Sequence, residues 1–137
     1  MTTLLKNLIV LVVDDDADSC YLLRSVLEEA GASVLVAQSV ESALDTFRRS
    51  PAHAVVADIR LGNSDGYALI KGIREHNLEH RGFTLVIAMT AFGSPDDEER
   101  AIAAGFDAYL TKPVDPSGVV NAIAGLLRVP DDLAAYA

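Results

Sequence analysis

The stretch Leu8-Ile9-Val10-Leu11-Val12-Val13-Asp14-Asp15-Asp16 decides the fold. Six apolar residues, four of them β-branched, run unbroken into three carboxylates. An apolar run of that kind predicts a strand buried on both faces, as in parallel sheets. The acids then stand at the strand's carboxyl end, the edge where open α/β sheets bind ligands. At ~4 Å and an effective dielectric near 20, each close pair of like charges costs about 4 kcal/mol. Two readings of the triplet follow: an edge that waits for a cation, or a solvated loop and helix cap.

Outward from this stretch, apolar and helical patterns alternate. Residues 22, 23, 26, 27 and 30 form one stripe of a helix over 18–30, which Gly31 stops. A second strand covers 32–37, and Ser39 caps a helix with apolar positions 40, 43, 44 and 47. A third strand, 53–57, ends in Asp58. A third helix runs from Gly66 to about Asn77, weakened by Gly72, and the polar residues after it read as a connection. Thr84 to Met89 is a fourth strand leading into Thr90. Ser94, Pro95 and the acids after them open a fourth helix, which Gly105 stops. A fifth strand, 107–111, leads to Lys112-Pro113, and Asp115-Pro116 caps a last helix to about Arg128. Asp16 reads as a helix cap, and Asp65-Gly66 as a cap and turn. Five strands alternating with five helices predict a doubly wound parallel sheet in a single domain, 1–137, with a core of about 8–128 and a short tail.

The bulk composition narrows the function. The chain has 137 residues, half of them hydrophobic, and a net charge of −9. An acidic domain does not suit a phosphate backbone, so nucleic acid is not expected as a partner. The single cysteine, Cys20, excludes an internal disulfide, reads as packing and fits a cytoplasmic location. Residues Met1 to Lys6 lack the charged region, apolar region and cleavage site of a signal peptide, and no apolar run approaches membrane-spanning length. The initial Met favours a complete chain, and too few residues follow Arg128 for a DNA-binding module, so output is expected through protein contact. Near-continuous apolar residues over 119–127 leave a surplus that suggests a partner surface.

Collecting the strand ends gives Asp14 and Asp15 from the first, Asp58 from the third, Thr90 from the fourth and Lys112 from the fifth. Carboxylates that hold a hard divalent ion, a free carboxylate that attacks phosphorus, a hydroxyl and a fixed ammonium are the parts of an acyl-phosphate site. Taken with Val12-Val13-Asp14-Asp15-Asp16, Asp65-Gly66, Met89-Thr90-Ala91, Gly105-Phe106-Asp107-Ala108-Tyr109 and Lys112-Pro113, the chain resembles the receiver domain of two-component response regulators. It is similar to the stand-alone chemotaxis type and to receivers attached to hybrid histidine kinases.

The resemblance implies a flavodoxin-like α/β fold with strand order 2-1-3-4-5 and five helices. It implies a phosphorylation switch rather than a turnover enzyme, with Asp58 as phospho-acceptor. Mg²⁺ (or Mn²⁺) would be bound by Asp15 and Asp58 directly, by Asp14 mainly through a water, and by the backbone carbonyl of Arg60. Thr90 would move toward the phosphoryl group and Lys112 would pair with it. Tyr109, which from the residues alone could equally be half-buried packing, would be an aromatic switch. A cis Lys112-Pro113 bond is implied too. The donor would be a histidine kinase or histidine phosphotransfer protein. Output or homodimerisation would use the face of the fourth helix, fifth strand and fifth helix. Gly62 stands where the family usually has proline, which suggests a more mobile loop and weaker Mg²⁺ binding. Arg60 and Phe92 are expected to flank the site and, by obstructing water, to lengthen the phosphoryl lifetime. The alternatives are an aspartyl-phosphate phosphatase, opposed by Arg60 where an acid is needed, a degenerate receiver that only binds, and a flavin protein. His53, His76 and His80 are expected away from the acids.

Overall fold

A computed structural model describes residues 4–59, 64–91 and 95–127, and of residues 64 and 65 the backbone only. The chain runs β1 (Ile9–Val13), α1 (Ala17–Glu29), β2 (Ser33–Ala37), α2 (Val40–Arg49), β3 (Ala54–Asp58), α3 (Ser64–His80), β4 (Leu85–Thr90), α4 (Pro95–Ala104), β5 (Ala108–Thr111) and α5 (Pro116–Leu127). The strands form one parallel sheet in the order β2-β1-β3-β4-β5. This is the flavodoxin-like arrangement with helices on both faces.

Strand alternation divides the core. Val10 and Val12 pack with Leu23, Leu27, Val119 and Ile123, under α1 and α5. Leu11 and Val13 pack with Phe47, Leu69, Ile70 and Ile73, under α2 and α3. Every residue from Val10 to Val13 is buried, and burying each such side chain stabilises the fold by roughly 1.5–3 kcal/mol. A strand buried on both faces has no polar side to alternate with, which is why the run is unbroken.

Three of the expected caps form, while Ser94, expected to cap α4, lies outside the described residues. Asp16 accepts from the Asp18 amide (3.3 Å) and the Ser19 hydroxyl (2.8 Å), Ser39 from the Ser42 amide (3.1 Å), and Asp115 from the Ser117 amide (3.1 Å). Gly31 and Gly105 end α1 and α4 with φ of +103° and +118°, a conformation that side chains with a Cβ seldom adopt.

α3 departs from expectation in two ways. It begins at Ser64, so Asp65 and Gly66 lie inside its first turn, and it continues to His80, through residues expected to be a connection. The extra turn is anchored rather than propensity-driven: Asn77 donates to the Thr84 hydroxyl (3.1 Å), and its carbonyl accepts from the Gly82 amide (2.9 Å). Gly72 is a contact point as well as a weak helix former. A Cβ there would stand 2.6 Å from Leu44 Cδ2, so its absence lets α2 and α3 approach closely.

Candidate functional site

Register builds the site. Val13 of β1 pairs with Ala57 of β3, which places the next residues, Asp14 and Asp58, level on adjacent strands. Neighbouring strands lie about 4.8 Å apart, so two carboxylates at one level are forced together. On the other side of β3, Ala57 pairs with Ala88, Ala88 with Tyr109, and Thr90 with Thr111. Lys112 follows directly, its amide donating to the Thr90 carbonyl (2.6 Å), and the Lys112-Pro113 peptide is cis.

One carboxylate oxygen from each of Asp14, Asp15 and Asp58 lies within 4.8 Å of the others. Lys112 Nζ stands 2.9 Å from Asp58 Oδ2 and 3.8 Å from Asp14 Oδ2. Asp14 is the buried member. Its Oδ1 accepts from the Asp16 amide (2.9 Å), whereas its Oδ2 is buried without a hydrogen-bond partner among the described residues. Such an atom costs stability unless a cation or water meets it. Three oxygen donors and one unpaired buried oxygen fit a hard divalent ion.

Burial is the main influence that pushes the Asp14 carboxyl above its ordinary range. The Asp16 amide opposes it, the charge of Asp58 adds to it, Lys112 opposes it, and Asp15 adds least. Charge crowding therefore ranks behind desolvation. Burial pulls the Lys112 ammonium down, but the hydrogen bond and charge of Asp58, then the charges of Asp14 and Asp15, hold it above its usual value. Ser19 holds Asp16 below its usual value, with the Asp18 amide second. Asp16 is thus the helix cap, turned to α1 rather than to the triad.

Thr90 is buried and hydrogen-bonded to the phenol of Tyr109, which is half-buried beside β4. Desolvation raises the Tyr109 phenol, and the Asp97 and Glu98 carboxylates of α4 raise it further. The hydroxyl at the site's edge, the aromatic ring of β5 and the acidic first turn of α4 are therefore one electrostatic unit.

A family model for the response regulator receiver domain matches residues 10–124. The chain belongs to this family. Over 120 residues, covering 87% of this receiver and 89% of the relative, it is 40% identical to an uncharacterised 14.6 kDa protein in the sodA1 3′ region of Leptolyngbya boryana. It is 32% identical over 106 residues to the sensor histidine kinase GacS of Pseudomonas protegens, covering 77% of the receiver and 12% of the kinase. It is 35% identical over 109 residues to the transcriptional regulatory protein ZraR of Escherichia coli, covering 80% of the receiver and 24% of the regulator. The receiver thus spans a small part of the kinase and of the regulator. Among solved structures, a two-component response regulator from Clostridium difficile superimposes with a TM-score of 0.79 at 27% identity, covering 89% of the receiver and 97% of that chain. The chemotaxis protein CheY4 of Vibrio cholerae shares the fold, with a TM-score of 0.78 at 23% identity and 88% and 98% coverage.

The receiver brings Asp14, Asp15, Asp58 and Lys112 together and sets Thr90 and Tyr109 in contact beside them. Arg60, Gly62 and Phe92, on which the expectations about the carbonyl ligand, loop mobility and phosphoryl lifetime rest, lie outside the described residues. No helix among the described residues is long and apolar enough to cross a membrane.

Three residues escaped the sequence reading as participants in the site. Gln38 and Ser39 line a cleft of about 270 Å³ together with Asp14, Asp15 and Asp58. They follow β2, the one strand whose carboxyl end was left out, although order 2-1-3 puts it beside β1. Cys20 packs in the core as expected, but its thiol also donates to the Asp14 carbonyl (3.2 Å), which fixes the first acid to α1.

Proposed function

We propose that this receiver is a phosphorylation switch in which Asp58 takes a phosphoryl group from a phosphohistidine. The observation that carries this reading is the 2.9 Å approach of Lys112 Nζ to Asp58 Oδ2 beside the grouped oxygens of Asp14 and Asp15. An Asp58 oxygen forms the new bond to phosphorus as the phosphorus–nitrogen bond of the donor breaks and the imidazole departs. Lys112 neutralises a phosphoryl oxygen and Thr90 donates to another. Asp14, Asp15, Asp58 and the Arg60 carbonyl would hold Mg²⁺, with Mn²⁺ as a substitute. When bound, the ion neutralises charge on the carboxylates and the phosphoryl oxygens. Thr90, drawn to the new phosphoryl group, releases its present hydrogen bond with Tyr109, and the ring and α4 readjust together.

The donor, a histidine kinase or histidine phosphotransfer protein, must reach Asp58 from outside. An apolar groove of about 220 Å³ runs from Asp14 and Lys112 between Leu22 of α1 and Pro113, Val114 and Pro116. With Tyr21 and Leu22 largely exposed, this is where the donor would bind. A downstream protein, or a second copy, would read the α4-β5-α5 face, where Ile102 and Leu126 are about half exposed. Most of α5 is already used in the core, Val119, Val120 and Ile123 being buried, so the partner surface is smaller than α5's composition suggests.

The test is intact mass after incubation with acetyl phosphate and Mg²⁺. The wild type gains one phosphoryl group, and folded Asp58→Asn does not. An unchanged wild-type mass would overturn the proposal.

A further inference from the structure

Two recesses reach the acids from the two faces of the sheet. The apolar groove beside α1 meets them at Asp14 and Lys112. The cleft of about 270 Å³ on the α2 and α3 side meets them at Asp14, Asp15 and Asp58. The phosphoryl donor would use the first, which leaves the second open to another role.

Register brings Gln38 into this second cleft. Val13 pairs with Ala37 on one side and with Ala57 on the other. The Asp14 amide donates to the Ala37 carbonyl (3.1 Å). Gln38 therefore follows β2 at the level of Asp14, just as Asp58 ends β3 at that level. Adjacent strands lie about 4.8 Å apart, so Asp14 is flanked by a carboxylate on one side and a carboxamide on the other.

The groups that line the cleft are not interchangeable. The Ser39 hydroxyl is committed to the start of α2, where it accepts from the Ser42 amide (3.1 Å) and donates to Ser42 Oγ (2.9 Å). Val40, Ile59 and Leu69 offer only apolar side chains. Gln38 is exposed, and its side chain makes no hydrogen bond among the described residues. Its carboxamide can both accept and donate. Asp14, whose buried Oδ2 has no hydrogen-bond partner among the described residues, lines the same cleft.

Charge decides what a carboxamide adds here. Three carboxylates against one ammonium already match a divalent ion. Gln38 supplies a hydrogen-bonding group without a fourth negative charge. A hard ion such as Mg²⁺ keeps several waters when carboxylates bind it, and the protons of those waters need acceptors. At about 30 Å³ per water in the liquid, a cleft of about 270 Å³ has room for them.

We propose that Gln38 is a positioning residue for the divalent ion, its carboxamide oxygen accepting a hydrogen bond from a water that the ion retains. This inference rests on the Mg²⁺-dependent switch proposed above and gives β2 a share in it. The ion is thereby held on the β2 side of the acids, away from the face on which the donor arrives. Partners one shell out from a metal tune its affinity through the groups they orient.

Calorimetric titration of the 137-residue chain with Mg²⁺, alongside melting in EDTA, tests the proposal. Gln38→Ala should bind Mg²⁺ about tenfold more weakly than the wild type. Its melting temperature in EDTA should be unchanged, because the side chain holds nothing in the metal-free fold. Gln38→Glu, which keeps an acceptor oxygen at the same reach, should restore at least wild-type affinity. Undiminished affinity in Gln38→Ala, or affinity in Gln38→Glu as weak as in Gln38→Ala, would overturn the proposal while leaving phosphorylation of Asp58 by acetyl phosphate intact. A wild type that takes up no Mg²⁺ would overturn both this proposal and the switch on which it rests.

Discussion

Lys112 Nζ lies 2.9 Å from Asp58 Oδ2, so the ammonium at the end of β5 directly neutralises the carboxylate at the end of β3. Both groups are partly exposed, and an ion pair of that kind contributes modestly to stability. Its larger consequence is chemical, because the same ammonium faces wherever a phosphoryl oxygen on Asp58 would stand. Lys112→Ala should destabilise the metal-free protein by about 1 kcal/mol or less. It should slow phosphorylation by acetyl phosphate about 10²-fold. Urea unfolding and time-resolved intact mass measure the two effects separately.

Asp14 predicts an unusual pH dependence in the absence of metal. Its folded carboxyl is raised above the ordinary carboxylate value, so the folded state binds the proton more tightly than the unfolded one. Stability from this group is therefore present at acid pH and lost as pH rises through the interval between the unfolded and folded values. Asp16, held low by its cap, acts below the ordinary carboxylate value and in the opposite sense, so the two effects occupy separate windows. Melting temperatures in EDTA should fall across the Asp14 window, and Asp14→Asn should flatten that fall.

Magnesium should reverse the trend. An ion bound only by the folded state adds about 1.4 kcal/mol at a tenfold excess over its Kd, and it competes with the proton on Asp14. The Mg²⁺-induced rise in melting temperature should grow with pH over the same window, and in Asp14→Asn it should be smaller and lose that pH dependence. A rise independent of pH in the wild type would place the ion elsewhere.

Arg74 secures the opposite end of the sheet. It donates to the Gly105 carbonyl (2.6 Å), the Thr84 carbonyl (2.7 Å) and Asp107 (2.8 Å), and Asp107 in turn accepts from the Val86 amide (2.8 Å). Arg74→Ala leaves these acceptors unmet and should cost about 2–3 kcal/mol in urea unfolding. Phosphorylation of the folded fraction should be unaffected, since none of these groups touches the acid edge.

Gly72→Val tests the approach of α2 to α3. A Cβ at 72 meets the far end of Leu44, a side chain that can turn, so Gly72→Ala should be close to neutral, gain in helix propensity offsetting repacking. The larger Gly72→Val should lose about 1–3 kcal/mol by overpacking, measured by thermal melts.

The strands and the grouping of Asp14, Asp58, Thr90 and Lys112 at one edge were legible because one cause produces both, whereas the strand order came from the family resemblance. An apolar run that ends in a polar residue marks both a buried parallel strand and the edge where it opens. The boundaries of α3 were not legible, because its last turn is held by Asn77 and Thr84, a contact that exists only once β4 is in place. The contact role of Gly72 was not legible for a related reason: propensity registers its cost within the helix but not the helix against which it packs. Gln38 was missed although the topology pointed to it. That burial leads in raising the Asp14 carboxyl was not legible, since burial of a carboxylate cannot be read from charge spacing.

Acceptance of the phosphoryl group at Asp58, as proposed, is tested most directly by borohydride. Wild-type protein treated with acetyl phosphate and Mg²⁺, reduced with borohydride and mapped by peptide mass spectrometry should carry homoserine at position 58 and aspartate at positions 14 and 15. Homoserine at 14 or 15 with position 58 unmodified, from folded protein, would contradict the account.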